Sequence, residues 1–118
     1  MRVVLLASLL ISAGCILNME DVDFTFDNRT DSQLCFFSRR NTGGCPNEIK
    51  PRGETVWRAG CGDGPNADEL PLTVVLTVAE EGRQIYERTE ECRVWQKSDH
   101  TFVIDRREGE FVVTDGLP

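Results

Sequence analysis

Five cysteines, at positions 15, 35, 45, 61 and 92, are the residues of this 118-residue chain best suited to chemistry. A thiol can ligate a metal, exchange disulfides or close a cross-link, and spacing selects among these roles. The last four lie 10, 16 and 31 residues apart, with no Cys-x-x-Cys knuckle for zinc and no nearby resolving cysteine for redox exchange. Two structural disulfides are the reading that fits, and they imply an oxidising compartment. Four cysteines allow three pairings. Cys35 with Cys45 and Cys61 with Cys92 is the favoured set, since the first pair closes a short loop around residues 41–44 and the second pins a long loop to a short predicted helix. Cys15 is then the odd thiol.

Other reactive constellations are sparse. His100 is the sole histidine, and its neighbours Asp99 and Thr101 point to the opposite face of an extended chain, so the three cannot form a relay. It is read as a surface or turn residue. No Gly-x-Ser-x-Gly elbow and no glycine-rich phosphate loop occurs. Asp63, Asn66, Asp68 and Glu69 carry calcium-type oxygen ligands, but their spacing matches no established calcium loop. No catalytic residue, metal or cofactor is therefore assigned. Asn28-Arg29-Thr30 is formally a glycosylation acceptor and reads better as a turn. Trp57, Trp95 and Tyr86 are expected at the core or its edge, because aromatics bury the largest areas. A sharper expectation joins Trp57 to Arg39, Arg40, Arg52 and Arg58 as one interaction surface for an anionic partner, Trp and Arg being enriched at binding hot spots.

The first residues say where the chain goes. Arg2, an apolar run from Val3 to Ile11 and the small residues Ser12-Ala13-Gly14 make a secretory signal, and the run is well short of the roughly 20 residues that span a bilayer. Ala13-Gly14-Cys15 resembles the lipobox of bacterial lipoproteins, with Ser12 where that family prefers Leu. The resemblance implies diacylation of the Cys15 thiol and cleavage just before it, leaving an even set of four cysteines. It also implies outer-membrane sorting in a two-membrane cell, since Ile16, not Asp, follows Cys15. Ser12-x-Gly14 equally fits an ordinary signal peptidase, which would release a soluble protein with Cys15 free.

The formal charge of −7 becomes −8 when Arg2 leaves with the leader, so polyanions such as nucleic acid are repelled. Charge is uneven, however. Residues 38–60 hold five cations against two acids, an asymmetry that can mark a contact surface. The expected plan is a leader over 1–14, a lipidated tether over 15–21 and one domain over 22–118. That domain is small enough for its stability to need the disulfides.

Strands are read at 22–27, 33–38, 48–50, 55–58, 72–79, 84–87, 101–105 and 110–114 from alternation and β-branched content. Turns fall at 28–31, at Glu81-Gly82, at Glu108-Gly109 and at Pro51-Arg52-Gly53, the last expected as type I. Thr89 followed by Glu90 and Glu91 reads as the cap of a short helix reaching Lys97. Such spacing predicts an all-β, antiparallel, Ig-like sandwich of about seven strands, with a small closed barrel as runner-up. Asn28-x-Thr30 and Pro51-x-Gly53-Glu54-Thr55 also resemble the turns of small β-sandwich domains that follow bacterial lipoprotein signals. The functional expectation is a lipid-anchored, extracytoplasmic, non-enzymatic binding module held at a membrane by its lipid. The alternative is a soluble secreted inhibitor or ligand carrier.

Overall fold

The computed structural model describes residues 21–61 and 65–115. The leader, the lipobox and Cys15 lie outside the described residues, as does Asp63. Eight strands are described: β1 (Val22–Asn28), β2 (Leu34–Phe37), β3 (Glu48–Ile49), β4 (Gly53–Ala59), β5 (Pro71–Val78), β6 (Gln84–Glu91), β7 (His100–Arg107) and β8 (Glu110–Asp115). One helical turn, α1 (Cys92–Trp95), links β6 to β7, and a 3-10 turn at Ala67–Glu69 precedes β5.

The strands form two four-stranded sheets, ordered β4-β1-β7-β8 and β3-β2-β5-β6, so the molecule is a β-sandwich and not a closed barrel. All pairings are antiparallel except β1 with β7. That parallel register sets Phe24 beside His100 and Phe26 beside Phe102, which collects aromatic rings on the inner face. Phe26 and Phe102 stack at 5.4 Å, and Phe24 meets Trp95 edge-on at 5.1 Å. Such offset and edge-on contacts suit the ring quadrupoles. Across the gap, Leu34, Phe36, Val74 and Leu76 complete the core.

In β1 the alternation holds residue by residue: Val22, Phe24, Phe26 and Asn28 are buried, while Asp23, Thr25 and Asp27 are not. By contrast β2 is buried on both faces. Cys35, Phe37 and Val75 form a second, smaller cluster on the outer side of their sheet, joined by Cys45 from the loop that follows. The Cys35–Cys45 disulfide ties that loop down. A strand covered on both sides reads as an unbroken apolar run, which explains Leu34-Cys35-Phe36-Phe37 and the β5 segment Val74-Val75-Leu76.

Turn chemistry shows where local conformation governs. Glu108 and Gly109 both take positive φ, 53° and 82°, as the two central residues of a type I′ hairpin require. The Pro51-Arg52 turn departs from type I, because Arg52 has φ 55° and a positive φ at that position belongs to type II. Its N–H donates to the Thr30 carbonyl at 3.0 Å, a tie that holds the left-handed conformation. Thr30 in turn is bound by the buried Asn28, whose amide nitrogen donates to the carbonyls of Ser32 and Lys50. Asn28-Arg29-Thr30 is thus a turn with its asparagine side chain fully engaged.

Two further expectations are corrected. Thr89 does not cap a helix: β6 continues to Glu91, and Thr89 faces Thr73 with their hydroxyls 2.7 Å apart. Ladder bonds to β5 satisfy the backbone there, and only Cys92–Trp95 turns helical. His100 is no surface residue, being 1% exposed at the start of β7. It is buried because the parallel register points it inward beside Phe24.

Candidate binding surface

Arg39, Arg40, Arg52, Trp57 and Arg58 do not converge. Arg52 pairs with Asp31 at 2.7 Å and lines a shallow cleft beside Asn28. Arg58 projects outward from β4 and pairs with Asp23 at 2.9 Å, beside a different cleft that includes Lys97 and Asp99. Its hydrogen bond holds the Asp23 carboxyl below the usual carboxylate range. Trp57 alternates to the other face of β4, packs against the core and donates its indole N–H to the Glu48 carbonyl at 2.9 Å, closing the corner where β4 meets β3. Sequence proximity groups these three, but the period of two turns Trp57 and Arg58 to opposite faces of β4, and Arg52 lies in the turn that precedes the strand.

Arg39 and Arg40 alone share a groove, and they have no ion-pair partner among the described residues. The groove has a volume of about 680 Å³, within the range of small-ligand sites. One wall is the loop after β2, carrying Arg39, Arg40 and Thr42 and closed by the Cys35–Cys45 disulfide. The opposite wall is Gly60-Cys61 at the end of β4, held to α1 by the Cys61–Cys92 disulfide. Leu70 to Thr73, at the start of β5, form the floor. Leu70 is 40% exposed there, and the one other large hydrophobic residue so exposed among the described residues, Val56, lies on β4 away from the groove.

Both disulfides are the pairs that loop closure favours; Cys61 itself lines the groove, and Cys35–Cys45 closes the loop that carries Arg39 and Arg40 to it. Each cross-link removes freedom from the unfolded chain. Guanidinium groups over an apolar floor can take a carboxylate or phosphate through bidentate hydrogen bonds while an attached apolar group is buried. Leu70 and Pro71 were missing from the sequence-based surface. The signal that could have found them is an exposed leucine beside a disulfide cysteine's loop, which becomes visible only when the loop's path is known.

A second cluster lies at the other corner. Arg88 sits over the Trp95 ring at 4.7 Å, pairs with Glu90 at 3.1 Å and binds Asp115, joining β6 to β8. Below it, His100 Nε2 donates to the Trp95 carbonyl at 2.7 Å, since that oxygen can only accept, and Nδ1 is buried with no partner among the described residues. Burial holds the imidazole below its ordinary range, against the opposing hydrogen bond to Trp95. Asp68 and Glu69 stand in the 3-10 turn.

No protein-family model, no curated protein and no solved structure matches this chain.

Proposed function

We propose that this protein is a lipid-anchored, extracytoplasmic binding module without catalytic activity, and that the groove of Arg39 and Arg40 is its binding surface. The observation that carries the reading is the groove itself: two guanidinium groups with no ion-pair partner among the described residues share it with exposed Leu70, between two segments that disulfides hold in place. Disulfides at both walls agree with an oxidising compartment. The anchor rests on Ala13-Gly14-Cys15 and on cysteine parity, since the two disulfides consume the other four thiols and leave Cys15 for the lipid. With a tether of about seven residues, 15–21, ahead of Val22, the domain would stand within roughly 25 Å of the bilayer.

Fractionation of cells expressing Cys15→Ser tests the anchor. The variant is expected to leave the membrane fraction for the soluble one, and a wild-type protein already soluble would overturn the anchor in favour of a secreted carrier or inhibitor. For the groove, replacing Arg39 and Arg40 by Glu is expected to abolish partner capture from the cell envelope with unchanged thermal unfolding. Undiminished capture by the folded variant rules the groove out.

A further inference from the structure

The groove contains an unfinished edge of the second sheet. The β2–β5 ladder ends at Phe37 opposite Val75, although β5 begins four residues earlier at Pro71. After Phe37 the chain leaves the sheet; continued register would have set Arg39 opposite Thr73. Strand alternation says which β5 groups are left open. Ala79 N–H donates toward β2, to the Gln33 carbonyl at 2.9 Å, whereas Val78 N–H donates toward β6, to the Arg83 carbonyl at 2.9 Å. Thr77, Val75, Thr73 and Pro71 share the alternation of Ala79, so their main-chain groups face the β2 side. Two of these, Thr73 and Pro71, lie beyond the end of β2 and line the groove. Proline has no N–H, which leaves the Thr73 N–H and the carbonyls of Thr73 and Pro71 without a strand partner among the described residues. An open strand edge is a template for another extended chain.

We propose that the groove takes a short acidic, extended peptide, added antiparallel to β5 where β2 stops. The idea rests on the reading of this groove as the binding surface. Main-chain hydrogen bonds to Thr73 and Pro71 set the register, a Glu or Asp side chain meets Arg39 or Arg40, and an apolar neighbour covers Leu70. Charge favours a short segment over a polyanion, because the chain as a whole carries −7 and attraction is confined to this rim.

The test uses the full chain and a blocked heptapeptide of alternating Glu and Leu. On binding, the Thr73 amide is expected to gain protection from hydrogen exchange. N-methylation of the peptide amides that face β5 removes only the strand hydrogen bonds and is expected to weaken Kd at least tenfold. Arg39→Glu with Arg40→Glu is expected to do the same through charge. Equal affinity of the N-methylated peptide, or equal competition by dodecanoate, would overturn strand addition while leaving the groove as a site for amphiphilic anions. Dimerisation of the unliganded chain with protection of Thr73 would overturn it in favour of a second copy. If neither peptide nor dodecanoate perturbs the groove, the reading of the groove itself fails.

Discussion

The outer faces of the two sheets solve opposite problems. On the β4-β1-β7-β8 sheet the outer face meets water directly, with Asp23, Asp27, Glu54 and Arg58 alternating against the buried inner set and Val56 57% exposed. On the β3-β2-β5-β6 sheet the outer face is covered: Cys35, Phe37 and Val75 lie under the loop that Cys45 ties back. The same disulfide that lets a small domain bury a second cluster also projects Arg39 and Arg40 into the groove. The contrast teaches that here a staple serves both the packing of a sheet face and the placing of cations, whereas the open face needs only alternation and exposed ion pairs. Such pairs contribute little to stability.

Adjacent residues on β2 separate the inner and outer faces of one strand most sharply. Phe36, in the inter-sheet core, and Phe37, under the stapled loop, are both almost fully buried. Phe36→Ala is expected to cost about 3–5 kcal/mol in urea unfolding. Phe37→Ala should cost about half as much, because a loop collapses into a cavity more readily than two sheets do. Equal costs would mean that the outer cluster is as rigid as the core.

The disulfides come next. In the chain-entropy picture the 31-residue closure of Cys61–Cys92 contributes about 4 kcal/mol and the 10-residue closure of Cys35–Cys45 about 3 kcal/mol. Paired Cys→Ala variants should reproduce that order, and only the Cys35/Cys45 variant should lose hydrogen-exchange protection over the outer side of β2. Loss over β1 as well would show that the two faces are not independent.

A smaller effect depends on pH. Burial depresses the His100 pKa in the folded state, so the unfolded state binds more protons between the two values. Stability is therefore full above the unfolded value near 6.5 and falls as pH drops toward the folded one. Arg88 adds to the depression and Asp99 opposes it. His100→Phe should flatten that part of the stability profile, and a slope that persists there would assign it to other groups. Least of all, Arg58→Ala on the open face is expected to change stability by no more than about 0.5 kcal/mol in the same unfolding assay.

Much of the fold was legible locally. The β1 alternation, the β-branched run of β5 and the glycine turn at Glu108-Gly109 are set by the pleat and by backbone sterics, which act over a few residues. The end of β6 was not, since Thr89 reads as a cap and becomes a strand residue only because β5 lies beside it. His100 was misread for a similar reason: its burial follows from a parallel partner 76 positions away in the chain, Phe24.

Of the candidate site, residue types and the two cysteine pairs could be reasoned from sequence, because charge, parity and loop closure are properties of the chain itself. Which cations face one another was decided by tertiary structure alone. Arg52 and Arg58 find carboxylates across strands and turns, Trp57 turns inward, and Arg39 and Arg40 meet Leu70 and Pro71 from some thirty residues later. A period of two tells which face a residue takes, but the neighbour on that face depends on strand order and on where a ladder stops, and both are settled by packing at long range.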